Sequence, residues 1–332
     1  MKTNYDMPSY ERINYLLRPN KSVERKMVCE MLSGISMLKS INSYQYIGFG
    51  STYFADFSLF HRLLGITKMV SLEKDDDAKN RCEFNKPFGC IELKMGESTG
   101  ILPNLGIDNL DSIVWLDYDD CISDTVFSDI NSVIGLMKPD SFFMLSINAD
   151  ITKLKSLRVD NEDLVQTAIE LIGEERYPNH YLGISMTQKN YIGVLYQCIT
   201  QEIKSAIQKR NGMEKHKVLF HQSVFFVYGD GAKMLTLGGF LFREDEEMDH
   251  LDKMGISKMP FYRHKDEPYS IQCPILSIKE IQALNAHLPC KEMGCHGVFE
   301  DSYLNDFPID NRDINQYASL YRYFPNFAET LL

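Results

Sequence analysis

The sequence lacks several features that would assign it to familiar classes. It contains no run of 18 apolar residues, so no membrane span is expected. The phosphate-binding motif G-x-x-x-x-G-K-[ST] is absent, which argues against a P-loop nucleotide site. Its first residues, MKTNYDMPSYERIN, lack the apolar segment of a signal peptide. The formal net charge of -11 argues against a broad nucleic-acid-binding surface.

The composition is typical of a folded protein. The chain has 332 residues, which suits one large domain or two modest ones. Hydrophobic residues make up 44% and charged residues 24%, as in ordinary globular proteins. The eight cysteines lie mostly in apolar runs, such as those around Cys29, Cys90 and Cys198, where buried thiols are common. We therefore expect a soluble protein of the reducing cytoplasm.

Strand-like and helix-like segments alternate after an amphipathic helix that is predicted over residues 18–38. Five apolar runs predict strands at 44–47, 69–72, 91–95, 113–116 and 141–147. The segments at 54–64, 75–85 and 124–137 are predicted helices, whereas the connection 95–113 is predicted to be a loop. Because the strands are apolar on both faces, the pattern predicts a doubly wound α/β sheet with buried, mostly parallel strands.

The pattern changes after the fifth predicted strand. Two helices are predicted over residues 161–173 and 187–208. Two long strand-like runs then flank Gly229-Asp230-Gly231, which indicates an antiparallel hairpin. From residue 243 the chain becomes richer in acidic residues and proline, and helical segments are predicted at 277–287 and 313–324.

The glycine pair at the end of the first predicted strand indicates a ligand site. Ligands of open α/β sheets bind at the carboxyl ends of the strands, and Gly48 and Gly50 lie there. Glu73 ends the second strand, where a carboxylate can accept both hydroxyls of a ribose. A nicotinamide cofactor would require a third glycine at the position of Tyr53. The bulky tyrosine argues against a pyrophosphate and favours a nucleoside ligand without phosphates.

These features resemble the class I S-adenosylmethionine-dependent methyltransferases over residues 44–242. The segments YIGFGS, VSLEKD, ELKMGES and IVWLDYDD look like the first four motifs of that family, in order. More loosely, the chain is similar to bacterial proteins grouped as O-methyltransferases. It departs from the family at Tyr46, where an acidic residue is usual, and at Thr52, where a third glycine is common. The resemblance implies that S-adenosylmethionine is bound by Gly48, Phe49, Gly50, Ser51, Glu73, Lys74, Gly96, Glu97, Ser98 and Asp117.

The resemblance also implies an organisation of the chain. Residues 1–43 would form an N-terminal helix or lid, and residues 44–242 a seven-stranded methyltransferase-like sheet with a helical insertion at about 151–215. Residues 243–332 would form a small, mainly helical C-terminal region. We expect the long insertion and this C-terminal region to determine substrate choice.

The acidic side chains after the fourth and fifth strands are the candidates for chemistry. Methyl transfer needs an acceptor atom in line with the methyl group, and in some enzymes a base or a metal ion. We expect Asp117, Tyr118 and Asp119 at the catalytic edge. Asp117, Asp119 and Asp150 could bind Mg²⁺, because carboxylate oxygens suit this ion; helix capping is the other interpretation of these aspartates.

The function predicted from the sequence is methyl transfer from S-adenosylmethionine to an oxygen atom. Two alternatives remain open at this point: a catalytically silent binding or assembly subunit, and a metal-dependent hydrolase or nuclease that uses the aspartates. The substrate could be RNA, DNA, a protein or a small molecule, and the C-terminal region could form a homodimer or bind a partner. The basic residues Arg18, Lys21, Arg25 and Lys26 form either a contact for an anionic substrate or a solvated helix face.

Overall fold

A computed structural model describes residues 17–158, 163–289 and 308–325 of the chain. Its centre is an eight-stranded sheet in the order β3-β2-β1-β4-β5-β7-β6-β8. Strands β1 to β5 are parallel where they pair, and β7 runs antiparallel to both β5 and β6. The strands are β1 (Gln45–Gly48), β2 (Lys68–Glu73), β3 (Ile91–Met95), β4 (Ser112–Asp117), β5 (Phe142–Asn148), β6 (Val218–Gly229), β7 (Lys233–Arg243) and β8 (Tyr269–Ser270).

Helices cover both faces of this sheet. Among the described residues, no helix is both long enough and apolar enough to span a bilayer. The α-helices are α1 (Pro19–Ser33), α2 (Ala55–Leu64), α3 (Lys79–Asn85), α4 (Ser98–Ile101), α5 (Asp124–Leu136), α6 (Ile151–Leu157), α7 (Leu164–Ile172), α8 (Gln188–Asn211), α9 (Glu247–Met254), α10 (Ile278–Asn285) and α11 (Asn311–Leu320). Short 3₁₀ helices lie at Gly34–Met37, Ile41–Ser43, Asp76–Ala78, Leu102–Asn104, Asn179–Tyr181 and Ile256–Lys258.

The doubly wound α/β sheet and its terminal hairpin are confirmed, with one strand more than the seven predicted. The additional strand β8 is only two residues long and pairs in parallel with β6 through Phe226 and Val227. Segment 95–113 is not a simple loop, because it contains α4 and a 3₁₀ turn. The predicted first helix ends as an α-helix at Ser33 and continues as the 3₁₀ turn Gly34–Met37. Gly34 packs closely against α9, where a Cβ would lie 3.0 Å from the Met254 carbonyl oxygen.

Two apolar cores flank the sheet. On one face, α1 and α2 pack with buried side chains such as Val23, Phe57 and Trp115. On the other face, α5 and α8 pack against β4, β5 and β7. The chain after β7 contributes to the first core through Leu251, Ile256, Phe261, Leu320 and Tyr323, so this part of the C-terminal region completes the α1 side of the sheet.

Candidate active site

The strand register brings the predicted site residues to one edge of the sheet. Gly48 pairs with Ser71 of β2 and with Trp115 of β4. Glu73 and Asp117 therefore lie two residues beyond those pairs, at the carboxyl ends of their strands. The Gly96 amide donates to the Glu73 carbonyl oxygen over 2.8 Å, which places the turn after β3 at the same edge. From β1 the strand order proceeds to β2 and β3 on one side, and to β4 and β5 on the other. The topological switch point of the sheet therefore lies between β1 and β4.

The turn after β1 requires glycine for reasons of packing within the protein. A Cβ on Gly48 would lie 2.7 Å from the Tyr46 hydroxyl and 3.0 Å from the Trp115 carbonyl oxygen. A Cβ on Gly50 would lie 2.5 Å from the Phe54 ring. Phe54 has a left-handed backbone, with a φ of 46°, immediately before α2 begins. The chain thus reverses tightly from β1 into α2, which places backbone close to the edge where a ligand would bind.

Two hydroxyl groups of this turn have no hydrogen-bond partner in the described part of the chain. These are the buried atoms Ser51 Oγ and Thr52 Oγ1. The Gly50 amide, by contrast, donates to Ser71 Oγ over 3.1 Å. The ring of Phe49 contacts that of Tyr118 edge-on, with centroids 5.2 Å apart. Because buried polar atoms are normally hydrogen-bonded, the unsatisfied hydroxyls indicate groups that a ligand could engage.

Glu73 is half-buried at the carboxyl end of β2. Its Oε1 accepts from the Asp75 amide over 3.0 Å, and its Oε2 lies 4.0 Å from the Cys82 thiol sulphur. Burial raises the pKa of the Glu73 carboxyl above its ordinary value, and the backbone hydrogen bonds only partly offset this. The neighbouring Lys74 is exposed. A carboxylate held in this way can accept two further hydrogen bonds from a diol.

A buried carboxylate that the sequence analysis missed connects the third and fourth motifs. Asp129 of α5 is fully buried and accepts hydrogen bonds from the Ser98 hydroxyl and, over 2.6 Å, from the Tyr118 hydroxyl. Burial raises the pKa of both Asp129 and Tyr118. Asp129 follows Val126 by three residues and precedes Val133 by four, so it lies on the apolar face of α5. An acidic residue on an apolar helix face was the sequence signal that could have identified it. The Tyr118 hydroxyl is therefore bound to Asp129 and helps to hold this edge of the sheet in place. Glu97, beside Ser98, is exposed.

A buried ion pair fixes Asp117 from the opposite side. Lys21 Nζ of α1 lies 2.8 Å from Asp117 Oδ1, 2.8 Å from Glu24 Oε2 and 3.0 Å from the Tyr228 hydroxyl. The same ammonium lies 4.6 Å from the centre of the Trp115 ring. Burial alone would lower the pKa of Lys21, but the charges of Asp117 and Glu24 outweigh it and raise the pKa. The lysine therefore remains charged and holds one oxygen of Asp117 in place.

The basic residues of α1 do not form an exposed patch. Arg18, Lys21 and Arg25 are 8%, 1% and 8% exposed, because this side of α1 packs onto the sheet. Lys26 Nζ donates to the Tyr323 carbonyl oxygen over 2.9 Å. The solvated helix face considered from the sequence is therefore wrong for Arg18, Lys21 and Arg25, whereas a contact with an anionic substrate stays a prediction.

The aspartates predicted to bind Mg²⁺ do not converge. Asp117 pairs with Lys21, whereas Asp150 caps α6 and accepts from the Thr152 and Lys233 amides. Asp119 is exposed. Among the residues that the structure describes, only Asp140, Glu246 and His250 form a group of three potential ligands within 4.8 Å of one another, and that group lies at the opposite edge. The metal prediction is therefore wrong for this triad, and the metal-dependent hydrolase or nuclease loses its basis.

A cavity of about 960 Å³ lies away from this edge. It is bordered by α8 and the first half of β6, including Tyr196, Phe220 and Gln222. Gln222 pairs with Gly239, which pairs with Phe143 near the start of β5. The cavity is thus near the amino-terminal end of the parallel strands, and it includes none of the site residues predicted from the sequence.

Comparison with known proteins gives the family. The family described as "Putative O-methyltransferase" matches residues 13–332. The chain belongs to this family. The predicted resemblance to class I S-adenosylmethionine-dependent methyltransferases is thereby confirmed, and the protein is an enzyme of the methyltransferase type. A search of curated proteins finds no match.

Solved structures that match this chain do so at low sequence identity and low TM-score. TYW2 of M. jannaschii in complex with AdoMet is 11% identical, with 70% of this chain and 80% of that chain covered and a TM-score of 0.37. Cofactor-bound Rv0187 from MTB is 12% identical, with 72% and 92% covered and a TM-score of 0.34. A chain in the complex of the Haloferax volcanii Trm112 methyltransferase activator with a methyltransferase is 12% identical, with 39% and 56% covered and a TM-score of 0.30.

Proposed function

We propose that the protein transfers a methyl group from S-adenosylmethionine to an oxygen atom of its substrate. The observation that carries this proposal is the meeting of the Gly48–Gly50 turn, Glu73 and Asp117 at the β1/β4 switch point. Ligands of open α/β sheets bind outside the carboxyl ends of the strands at such a point. The family description supports oxygen as the acceptor atom.

Each part of the edge has a role in this proposal. Glu73 would accept hydrogen bonds from the ribose hydroxyls, and the backbone of the Gly48–Gly50 turn would face the amino-acid end of the cofactor. The loop Gly96–Ser98 would border the adenine, beside the Asp129 anchor. A cofactor without phosphates agrees with Tyr53, which stands where a pyrophosphate-binding turn would need glycine.

Asp117 and Asp119 would act at the acceptor. Methyl transfer places an acceptor oxygen in line with the methyl–sulphur bond, and a carboxylate can accept the proton that a hydroxyl acceptor loses. Lys21 binds Oδ1 of Asp117 and so fixes the orientation of the second carboxylate oxygen. The reaction therefore requires a correctly placed acceptor oxygen and one base. Asp117 and Asp119 can provide both without forming a three-ligand metal site.

Replacement of Glu73 by alanine is expected to weaken S-adenosylmethionine binding by about ten- to a hundredfold, because a charge-assisted pair of hydrogen bonds to the ribose is lost. Isothermal titration calorimetry on the wild-type protein and Glu73→Ala measures this change. Glu92→Ala is the matched control, since Glu92 is an exposed carboxylate of β3 that pairs with the partly exposed Lys94.

The pH dependence offers an independent check on Glu73. Its carboxylate form accepts the ribose hydroxyls, and burial raises the pKa of this group. Affinity should therefore fall as the pH decreases, beginning at a higher pH than an ordinary glutamate would give, and Glu73→Gln should remove that decline. Absence of S-adenosylmethionine binding by the wild-type protein, or equal losses in Glu73→Ala and Glu92→Ala, would refute the assignment.

A further inference from the structure

The first half of β6 is an open edge of the sheet. β7 pairs with one side of this strand from its first residue to its last, whereas β8 pairs with the other side only at Phe226 and Val227. At the start of the strand, the side-chain amide of Asn211 accepts from the Val218 amide over 2.9 Å and donates to the Val218 carbonyl oxygen over 2.8 Å. Asn211 thus takes the place of a neighbouring strand there. Phe220, two residues further on, has no such partner in the described part of the chain.

The backbone of Phe220 points away from β7. Phe220 lies opposite Leu241, whose amide donates to the Ser141 carbonyl oxygen over 2.9 Å and whose carbonyl oxygen accepts from the Asp140 amide over 2.6 Å, both on the far side of β7. Opposite residues of an antiparallel pair exchange both backbone hydrogen bonds or neither. Phe220 therefore presents its N–H and its C=O to the open edge, and no group of the described residues bonds to either. Such an edge can pair with an added strand.

The cavity of about 960 Å³ adjoins this open edge. Phe220 lines it together with Tyr196 of α8, whose ring stacks on that of Phe225 with the centroids 4.6 Å apart. Tyr177 also lines the cavity; it is 4% exposed, and its hydroxyl has no hydrogen-bond partner in the part of the chain that the structure describes. Amide side chains line the cavity as well: Asn179, Gln197, Gln201, Gln208 and Gln222. These surfaces suit an occupant that combines an apolar group with amide-type donors and acceptors.

The walls also limit which occupant fits. Their charged residues have both signs, since Glu175 is present with Arg176 and Lys204, so a strongly charged ligand is not favoured. Phe220 is recessed, because α8 borders one side of the cavity and His264 another. A second copy of this chain would present the same recess, and two concave edges cannot bring their strands to the pairing distance of about 4.8 Å. A single extended peptide is narrow enough to enter.

We propose that this cavity binds an extended peptide segment of a partner protein, which pairs through its backbone with Phe220 and places one apolar side chain in the cavity. β8 already adds to the same side of β6 in this way at Phe226 and Val227. The ring of Tyr196 would pack against the inserted side chain. Because the cavity lies away from the edge that holds Glu73 and Asp117, this inference does not depend on the proposed function.

Capped pentapeptides of the sequence Thr-Val-X-Val-Thr, with X as glycine, valine, leucine or phenylalanine, are the probes for this site. Isothermal titration calorimetry on the wild-type protein should show affinity that rises about ten- to a hundredfold from glycine to leucine or phenylalanine, because the inserted side chain is buried. Methylation of the backbone nitrogen of X should weaken binding about tenfold, because the donor to the Phe220 carbonyl oxygen is lost.

The matched protein variants are Phe220→Pro and Phe220→Leu. Proline removes the N–H that faces the open edge and no hydrogen bond to β7, so the hairpin should persist while the leucine-centred peptide binds about tenfold or more weakly. Phe220→Leu keeps the N–H and an apolar side chain, and it should keep most of the affinity. Circular dichroism confirms that both variants are folded.

Three results would overturn the proposal. These are no binding of any of the four peptides at millimolar concentration, equal affinities of Phe220→Pro and the wild-type protein, and a dimer of the wild-type protein in analytical ultracentrifugation that Phe220→Pro abolishes, which would make a second copy the occupant. If Phe220→Pro does not fold, amide hydrogen exchange on the wild-type protein decides. The Phe220 amide should exchange faster than those of Leu219 and His221 and slow at least tenfold with the leucine-centred peptide; unchanged exchange overturns the pairing.

Discussion

Replacement of Lys21 by methionine should lower the free energy of unfolding by about 3–5 kcal/mol, the usual cost of removing one partner from a buried ion pair. The substitution would leave the carboxylates of Glu24 and Asp117 close together with no cation between them. Because the pKa of Lys21 is raised in the folded state, its contribution is complete below the pKa of an unfolded lysine, about 10.4. It is lost only as the pH rises through the folded-state value.

Urea unfolding at neutral pH, followed by circular dichroism, measures this loss. Lys153→Met provides the control, since Lys153 Nζ lies 3.2 Å from Asp120 Oδ1 and both side chains are largely solvated, with 41% and 78% exposed. An exposed pair of this kind should contribute less than about 1 kcal/mol. Similar unfolding midpoints for both variants would show that the buried pair does not stabilise the fold as described.

The substitution Gly239→Ala should be the second strongly destabilising change, at about 3 kcal/mol or more. Gly239 of β7 faces the bulge of β6 at Gln222 and Val224. A Cβ there would lie 2.1 Å from the His221 carbonyl oxygen and 2.8 Å from the Gln222 Cα. Both contacts are with backbone atoms of the paired strand β6. The steric clash can therefore be removed only if the β6–β7 hairpin shifts.

Thermal and urea unfolding of Gly239→Ala can be compared with Gly135→Ala. Gly135 is exposed in α5, and a Cβ there would meet no atom within 4 Å. This control should be more stable than the wild type by about 0.5–1 kcal/mol, because alanine favours the helix. A wild-type unfolding midpoint for Gly239→Ala would contradict the close approach of β6 and β7.

The sequence predicts the sheet well because the strand signals are local. Each parallel strand is a short apolar run bounded by turn residues, and the hairpin signal at Gly229-Asp230-Gly231 is unambiguous. The glycine turn, Glu73 and the carboxyl end of β4 are placed at one edge by the same reasoning. Strand β8 could not be predicted, because two residues carry no periodicity.

The side-chain partners at the site could not be predicted because they join distant parts of the chain. Lys21 and Asp117 are 96 positions apart, and an isolated basic residue on a helix is usually solvated. The aspartates after β4 and β5 suggested a metal site. In the structure, however, Asp117 forms an ion pair with Lys21 and Asp150 caps the amino terminus of α6. Only the packing of α1 onto the sheet determines which charges are buried and which pair.

A crystal structure of the full chain with S-adenosylhomocysteine tests the central claim most directly. The account predicts that the ribose hydroxyls lie within hydrogen-bond distance of the Glu73 carboxylate, with the amino-acid end against the Gly48–Gly50 turn. Ligand density in the cavity between α8 and β6, or no density at the β1/β4 edge at saturating ligand, would contradict the assignment of this edge as the methyltransferase site.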